Sequence, residues 1–446
     1  GARRSRPLCS DLWMNRDDLR RRLRELGVVR GVRGLAAQQP RHAVAIEDLV
    51  PGQFHTTSHG RCFVAEETYA LSHHHGDLPL SSFRELSSEV VAQVGQDETL
   101  ADLDLGRVCF LDTETTGLSA GTGTMAFIVG FGFFADDSFE VRQYFLRDPG
   151  DEPAMVEALL ERLPTFEALV SFNGRAFDVP IIENRFILAR VAPPTRDMLH
   201  LDLLHPARRL WRYALSSCAL TSLEREVLGV LRQQADVPSG LIPLLYRDYL
   251  RTGDARDMRR VLYHNRIDIL SMVTLAVRLC QTFADPWNTE KAEERRDLSS
   301  GELYALGRWY TGEGRVKEAE RAYRAALRLR SESDLALRGR TLRELALLLK
   351  RDARRDEAFP FWQQLALESA ENASGVAAHV ELAKYFEWTV GDLVRAAAWT
   401  RAALKWVEAG ASGAYRDARL ADLRHRLARL KRKMAEARVP HSEPSR

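Results

Sequence analysis

The sequence predicts a chain in two structural parts, an α/β domain with a mixed central sheet flanked by helices and an all-α array of helical repeats that follows it. From about Leu105, short runs of β-branched and aromatic residues come first and then alternate with helical segments, a pattern typical of an α/β domain. After Ser299 the strand signals vanish, and Ala, Leu, Arg and Glu recur with helical periodicity. The chain of 446 residues is also longer than one hydrophobic core usually serves.

The elements of the α/β domain follow in order along the chain. Apolar runs rich in aromatic and β-branched residues predict strands at residues 108–112, 127–134 and 138–146. Helical spacing predicts a helix at residues 153–163, another apolar run predicts a strand at 168–172, and a second helix opens near Pro180. Strands followed by alternating helix and strand favour a mixed sheet rather than an all-antiparallel one.

The predicted limits of the parts rest on shifts in composition. Residues 1–100 form an N-terminal region that is partly irregular with short strands, and residues 101–285 form the α/β domain. Pro, Asn and a run of charges predict a linker at 286–300. Helical repeats with a capping helix span 301–438, and residues 439–446 form a disordered tail.

The helical repeats have the spacing of tetratricopeptide repeats in their first unit. Small residues fall where two helices touch and large ones fall between them. The first unit contains Leu303, Leu306, Gly307, Tyr310, Ala319, Tyr323 and Ala326. The offset from Gly307 to Ala346 is longer than the ideal period of about 34 residues, so the array is irregular. A closing helix over 415–438 carries many basic residues, which favour either contact with a phosphate backbone or a solvated cap.

Composition excludes several classes of protein. Lys+Arg is 64 and Asp+Glu is 62, so the chain has no uniformly basic coat, although acidic residues are in excess over 101–285 and basic residues in excess over the repeats. The cysteines are isolated, which argues against a disulfide scaffold or a zinc ribbon and indicates a reducing compartment: Cys9, Cys62, Cys109, Cys218 and Cys280. No apolar run reaches 18 residues, so we expect no membrane span and a cytoplasmic protein.

The strongest chemical signal is a pair of carboxylates at the end of the first predicted strand. Asp112 and Glu114 are separated by one residue, which places both side chains on one face of a strand. Two anions so close repel each other unless a cation lies between them. A hard divalent ion such as Mg²⁺ is the natural cation, because it prefers oxygen ligands. A strand end that runs into a polar turn is the simpler explanation of this pair taken alone.

Two further segments add carboxylates to this pair. Asp178 follows a predicted strand and a turn, and Asp268 lies on a helical stretch. His264 is four residues before Asp268, so the two share a helix face. Four carboxylates from separate segments could hold two divalent metals about 3.5–4 Å apart and present a water to a phosphodiester.

Together these motifs resemble those of a known family. The Asp-x-Glu pair, the run from Asn173 through Phe177 and Asp178 to Pro180, and Asp268 preceded by His or Tyr are similar to the three motifs of the DEDD exonucleases, which have a ribonuclease-H-like fold. The segments around Asp202–Trp211, Cys218–Glu224 and Ile242–Tyr249 resemble the YprB-type bacterial exonucleases, the group that includes the mitomycin-repair exonuclease and that tends to carry C-terminal tetratricopeptide repeats.

The resemblance implies roles for individual residues. Asp112, Glu114, Asp178 and Asp268 would bind two Mg²⁺ or Mn²⁺ ions, and His264 would orient or deprotonate the attacking water. The helical spacing of His264 matches the tyrosine-type branch, so Tyr263 remains an alternative. The remaining implied contacts are with substrate: Asn173 would support Asp178 or a phosphate, Gly117, Leu118 and Phe177 would stack against terminal bases, and Arg208 and Arg209 would grip the backbone. Turn formation, core packing and a solvated basic turn are the alternatives for these residues.

The implied function is a metal-dependent 3′→5′ exonuclease that hydrolyses DNA in repair. An RNA 3′→5′ exonuclease and a non-catalytic nucleic-acid-binding tetratricopeptide scaffold are the alternatives. The repeats imply a protein partner, and the family suggests a helicase. The same resemblance implies a bacterial cytoplasmic protein that associates with the nucleoid when it acts on DNA. Three consecutive histidines, His73 to His75, stand outside this pattern, and we expect them at the surface.

Overall fold

The fold is taken from a computed structural model that describes residues 42–117, 123–232, 236–287, 297–329, 335–368, 373–409 and 414–437. The predicted base-stacking residue Leu118 and the predicted tail 439–446 lie outside the described residues. Most of the predicted linker, residues 288–296, also lies outside them.

A seven-stranded mixed sheet forms the centre of the α/β part, in the order β1-β2-β7-β6-β5-β8-β9. The strands are β1 (Gly52–Thr57), β2 (Gly60–Ala70), β5 (Val108–Thr115), β6 (Ala126–Phe134), β7 (Ser138–Phe145), β8 (Ala168–Ser171) and β9 (Leu199–Asp202), and β3 (His74–His75) pairs with β4 (Leu78–Pro79) in a separate ribbon. Across the sheet, the neighbouring strands β1, β2, β7, β6 and β5 pair in antiparallel fashion, and β5, β8 and β9 pair in parallel. The mixed sheet predicted from the sequence is therefore confirmed.

The sheet extends beyond the domain limit predicted at residue 100. β1 and β2 belong to the predicted N-terminal region, yet β2 pairs along its length with β7 of the α/β domain, from Phe63 opposite Phe145 to Ala70 opposite Ser138. The limit stays a prediction from composition, and the sheet crosses it because backbone hydrogen bonds between strands distant in sequence leave no local signal.

Seven helices accompany the sheet in the described part of this half. They are α1 (Ser88–Gly95), α2 (Glu152–Arg162), α3 (Asp178–Leu188), α4 (Leu204–Trp211), α5 (Leu220–Leu223), α6 (Ile242–Thr252) and α7 (Arg256–Ala284). The 29-residue α7 is long and apolar enough to cross a membrane, but 78% of its most apolar window is buried inside the protein. It is therefore a core helix, packed on β5, β6 and β7.

Two glycines in the middle of β6 let α7 approach the sheet closely. A Cβ atom on Gly130 would lie 2.2 Å from Asn265 Oδ1, and one on Gly132 would lie 2.4 Å from Ile269 Cγ2. Since real Cβ atoms do not approach other heavy atoms so closely, any larger residue would push α7 away. This contact sets the depth at which α7 presents its polar side chains to the end of β5.

The C-terminal half is entirely helical in the described residues, as predicted. Its helices are α8 (Ser300–Gly312), α9 (Val316–Arg328), α10 (Leu335–Arg351), α11 (Arg355–Glu368), α12 (Ala373–Tyr385), α13 (Leu393–Ala409) and α14 (Ala414–Glu436). Each helix packs on the next one along the chain.

Three basic residues of α14 are paired with one carboxylate within the protein. The buried carboxylate of Glu387 accepts hydrogen bonds from Arg426 at 2.9 Å, from Arg429 at 2.7 Å and from Lys433 at 2.9 Å. These charges therefore attach α14 to the segment that follows α12. Of the two alternatives for this helix, the structure favours a cap.

The two halves share one hydrophobic core. Trp211, the last residue of α4, donates from Nε1 to Glu302 Oε1 at 2.8 Å, and Glu302 also closes a capping box with Ser299 at the start of α8. The Tyr310 hydroxyl donates to the carbonyl oxygen of Phe283 at 2.5 Å. A single cluster of buried apolar residues runs from α1 and α7 into α8–α12. The array is consequently fixed against the sheet domain.

Candidate active site

The first two predicted carboxylates lie near the end of β5, in the centre of the sheet. Asp112 faces Gly130 of the neighbouring strand, and its Oδ2 accepts a hydrogen bond from Asn265 Nδ2 at 2.7 Å. Gln143 in turn donates to Asn265 Oδ1 at 2.6 Å. A register shift follows between Glu114 and Thr115. Asn265 and Gln143 therefore fix the orientation of Asp112 from the helix and from β7.

Asp178 reaches the same place from the start of α3. Its Oδ1 accepts hydrogen bonds from the backbone N–H of Thr113, at 3.1 Å, and from the Thr113 hydroxyl. The preceding turn passes very close, since a Cβ on Gly174 would lie 2.4 Å from Ser171 Oγ and 3.2 Å from Asp178 Oδ2. Asn173 adopts a φ of 68°, a left-handed conformation that asparagine tolerates better than most residues.

The third contribution comes from α7, where His264 and Asp268 lie one turn apart. His264 Nε2 is 3.7 Å from Asp268 Oδ2 and 3.9 Å from Glu114 Oε1. His264 is buried, with 3% of its surface exposed. The structure thus brings together His264 and the carboxylates of β5, α3 and α7, as the sequence predicted.

These carboxylates repel one another in a largely buried setting, and their pKa values rise accordingly. Burial, followed by the charges of Asp268, Asp178 and Glu114, holds the pKa of Asp112 well above its ordinary value. Burial raises the pKa of Glu114 to about 8, against the lowering effect of His264. Burial likewise raises the pKa of Asp178 to about 6 and raises that of Asp268. The cluster lacks sufficient positive charge, which favours the binding of cations.

Sequence reasoning missed Arg232, which lies beside the cluster. Its guanidinium donates to Asp268 and forms a bidentate pair with Glu224, with both N–O distances 2.6 Å. The Glu224 side chain is only 1% exposed. No spacing rule links residues 224, 232 and 268, so a search for local motifs could not have found this contact. Arg232 therefore partly compensates the negative charge of Asp268.

Asp236 was also missed, and it determines the orientation of His264. Its Oδ1 lies 2.7 Å from His264 Nδ1, so the carboxylate accepts the Nδ1 proton and leaves Nε2 directed at Glu114 and Asp268. Burial lowers the pKa of His264, but the hydrogen bond to Asp236 and the charges of Asp268 and Glu114 outweigh it, so the pKa is raised. An acidic partner on one ring nitrogen is the usual way to set which nitrogen of a histidine is basic.

The polar network continues away from the cluster to His75. Ser271 donates to Glu224 Oε1 at 2.7 Å, and His75 Nε2 lies 2.8 Å from Ser271 Oγ. His75 is buried, contrary to the expectation that all three consecutive histidines are at the surface, because β3 packs against α7. Burial lowers the pKa of His75 to about 4.

The predicted substrate-binding residues have different surroundings. The backbone N–H of Asn173 donates to Asp202 Oδ1 at 2.8 Å, Gly117 accepts a bond from Thr115, and Phe177 is half-buried against the core. Arg208 is exposed on α4. Arg209 is half-buried instead, because its guanidinium lies 4.6 Å from the centre of the Trp309 ring and donates to Gln96. This side chain lies in the contact between the halves, and its role in gripping substrate stays a prediction.

The alternative residue Tyr263 points elsewhere. It lines a cavity of about 260 Å³ with Glu67, Gln143 and Arg266, and the Arg266 guanidinium lies 5.7 Å from the centre of its ring. His264, by contrast, lies within 4 Å of two carboxylates. The helical rotation between adjacent residues separates the two side chains as expected.

The donor set of the cluster suits a hard divalent metal. It consists of carboxylate oxygens, the ligands that Mg²⁺ and Mn²⁺ prefer, and its negative charge is only partly compensated by Arg232 and His264. Arg232 already stands in for a cation at Asp268. Within the described residues, however, no three His, Cys, Asp or Glu side chains converge closely enough to enclose an ion. The residues fit the metal by chemistry, and side-chain rotation would be needed to close around it.

Comparisons with known proteins agree with this geometry. Residues 109–280 match the model of the RNase H superfamily, whose members are generally hydrolytic nucleases. A protein of Bacillus subtilis (strain 168), named as uncharacterized protein YprB, is 34% identical over 331 residues, which are 73% of this chain and 76% of the relative. A solved structure of BtubC (BKLC) from P. vanneervenii is 18% identical, and the match covers 43% of this chain and 91% of that protein with a TM-score of 0.25.

Proposed function

The chain belongs to the family of Bacillus subtilis YprB and contains an RNase H superfamily domain, and on this premise we propose that it is a metal-dependent 3′→5′ exonuclease that hydrolyses DNA during repair. One observation carries the proposal. Asp112, Glu114, Asp178 and Asp268 arrive from β5, α3 and α7 at one place, with the basic nitrogen of His264 directed at two of them. Buried groups with perturbed pKa values in such an arrangement are typical of catalytic sites.

The four carboxylates would hold two Mg²⁺ or Mn²⁺ ions. Bound there, the ions supply Lewis-acid polarisation of the phosphodiester and compensate the charge of the attacking and leaving oxygens. Asn265 holds Asp112, and Thr113 holds Asp178, each through one carboxylate oxygen, so that the orientation of both ligands is set before substrate arrives. Arg232 would keep Asp268 in place from the opposite side.

His264 would act as the general base. Asp236 accepts the Nδ1 proton, so Nε2, which also lies 3.3 Å from Ser239 Oγ, would take a proton from a water lying between His264 and the carboxylates. The hydrogen bond to Asp236 and the charges of Asp268 and Glu114 raise the pKa of His264 above its ordinary value, which makes the neutral ring a stronger base.

The helical array would be tetratricopeptide-like and would bind a protein partner, for which a helicase is our proposal. The small residues of its first unit support this, because Gly307 lies where a Cβ would meet the Tyr323 ring at 2.5 Å. A helicase would also supply the strand separation for which the sequence shows no nucleotide-binding motif. We place the protein in the bacterial cytoplasm, at the nucleoid when it acts on DNA.

The test is degradation of end-labelled single- and double-stranded DNA and RNA in Mg²⁺ or Mn²⁺. Labels at the 5′ and 3′ ends distinguish the polarity. We expect Asp112→Asn to lower the rate by more than the ~10–100-fold that loss of an outer partner of a metal ligand costs. Asp137→Asn, at an exposed turn after β6, is the matched control and should keep the wild-type rate.

The outcomes separate the candidates. Full activity of Asp112→Asn at saturating metal would overturn the assignment of the site. Release of nucleotides from RNA in preference to DNA would identify RNA as the substrate. Binding without cleavage by the wild-type chain would indicate a non-catalytic scaffold.

A further inference from the structure

Three arginines, one directly after α4 and the others on α8 and α10, surround one tyrosine where the sheet domain meets the array. Tyr213 OH accepts a hydrogen bond from Arg212 at 2.7 Å and one from Arg308 at 2.8 Å. The Arg340 guanidinium lies 6.0 Å from the centre of the same ring, and that of Arg212 lies 4.6 Å from it. All three arginines are exposed. We call these four residues, together with Arg208, the junction surface.

The charge of the junction surface is not balanced by carboxylates. Among the residues that the structure describes, none of its arginines forms an ion pair, whereas Arg354 in the same array pairs with both Glu320 and Glu357. Glu344, which acts on Arg308 at longer range, is itself paired with Arg343 at 3.1 Å. Like charges held together raise the local potential and attract an anion from solution.

The junction surface is connected to the carboxylate cluster by α4. β9 ends at Asp202, which binds the turn that carries Asn173, and α4 begins at Leu204. Arg212 caps the far end of this helix, so about 12 Å separate its two ends at ~1.5 Å per residue. Arg208 and Arg212 are four residues apart and share a face of the helix. An extended polyanion at the cluster would pass along α4 to the array.

The geometry of the junction surface is fixed by the contact between the halves. A Cβ on Gly301 would lie 2.3 Å from the carbonyl oxygen of Tyr213, so α8 packs directly on the backbone of this segment. Tyr304 of α8 also packs edge-on against Tyr213, with ring centres 4.9 Å apart. Arginines from α4, α8 and α10 therefore keep their relative positions without a ligand, which lowers the entropic cost of binding one.

We infer that the junction surface binds the phosphodiester backbone of a nucleic-acid strand whose 3′ end lies in the carboxylate cluster. The direction of the strand rests on the proposed function, while the surface rests on its own contacts. Guanidinium groups match phosphate oxygens bidentately. The path along α4 to the cluster favours a nucleic acid over an acidic peptide, because only a nucleic acid bound at the cluster would continue along α4. The array would then hold substrate as well as a partner.

The test is the affinity of a 20-nucleotide labelled single strand, measured by fluorescence anisotropy in EDTA so that cleavage cannot contribute. The variant Arg212→Gln/Arg308→Gln/Arg340→Gln should bind ~10–100-fold more weakly. Its slope of log Kd against log salt should fall by about 2, since each phosphate contact on a single strand contributes ~0.7. The triple Arg→Lys variant at these positions keeps the charge and should restore most of the affinity and show that the fold is intact.

The matched control is Arg328→Gln/Arg401→Gln/Arg432→Gln, which removes the same charge from exposed positions elsewhere on the array. It should leave the salt slope unchanged. Equal weakening by both triple variants, or an unchanged slope in the junction variant, would overturn the inference. Competition by polyglutamate as strong as that by the oligonucleotide would also overturn it, because the surface would then bind acidic peptide. Failure of the wild-type chain to cleave affects only the proposed catalysis, since binding is measured without metal.

Discussion

Replacement of Arg232 by methionine should strongly destabilise the protein, because it leaves a buried carboxylate without its partner. The Arg232 side chain is 10% exposed and that of Glu224 is 1% exposed, and two N–O contacts of 2.6 Å join them. Without the guanidinium, Glu224 also faces the like charge of Asp268. We expect the free energy of unfolding to fall by about 3–5 kcal/mol, the usual cost of removing one member of a buried ion pair.

Urea denaturation at neutral pH, followed by circular dichroism, measures this loss. The control is Arg225→Met on the same segment, because its pair with Glu226 has side chains that are 64% and 45% exposed. Exposed pairs contribute less than ~1 kcal/mol, so the control should unfold almost as the wild type does. The double variant Arg232→Met/Glu224→Gln removes both charges and should be more stable than Arg232→Met alone. A loss no larger than that of Arg225→Met, or a less stable double variant, would refute the reasoning.

Magnesium provides a second measurement that does not depend on activity. Arg232→Met increases the uncompensated negative charge of the cluster, so Mg²⁺ should stabilise the variant more than the wild type. A ligand at 100 times its Kd adds ~2.7 kcal/mol to the free energy of unfolding, and a thermal melt detects a change of this size. Equal responses of the two proteins to Mg²⁺ would contradict the position assigned to Arg232 at the cation site.

Two further substitutions test the packing and the polar network. Gly130→Ala places a methyl group 2.2 Å from Asn265 Oδ1, so overpacking should cost about 1–3 kcal/mol and lower the nuclease rate. Gly123→Ala, whose methyl group would meet no atom of the described residues within 4 Å, is its control, and equal melting temperatures of the two would contradict the close approach of α7. Burial lowers the pKa of His75 from 6.5 to about 4, so the unfolded chain takes up a proton there before the folded chain does. The contribution of His75 to stability should thus be complete above about pH 6.5 and be lost between pH 6.5 and 4, by roughly 3 kcal/mol, and His75→Gln should remove this contribution in melts across that range.

Local patterns were sufficient to predict much of the fold and the carboxylates. The alternation along β5 predicts that Asp112 and Glu114 share a face, and helical spacing predicts the same for His264 and Asp268. Both rules depend only on neighbours in sequence. The apolar runs of β6 and β7 also predicted strands, because aromatic and β-branched residues fill them.

Contacts between distant segments could not be predicted in this way. Arg232 meets Glu224 and Asp268 through the fold, and no periodicity marks it in the sequence. A signal did exist for Asn265, because glycines inside a strand such as Gly130 often indicate a close approach by another element. The sequence could not say which element approaches, so the partner of Asp112 was missed.

The shared core between the halves changes how a partner bound to the array would act. In a tethered protein, linker length sets the local concentration of one module around another. Here Trp211 and Phe283 bind α8 through hydrogen bonds, and a shared core of described residues joins the array to the sheet domain. A partner bound to the array would therefore have a fixed orientation and a fixed distance relative to the carboxylate cluster. Its own shape, rather than chain flexibility, would decide whether the strand it delivers can reach the cluster.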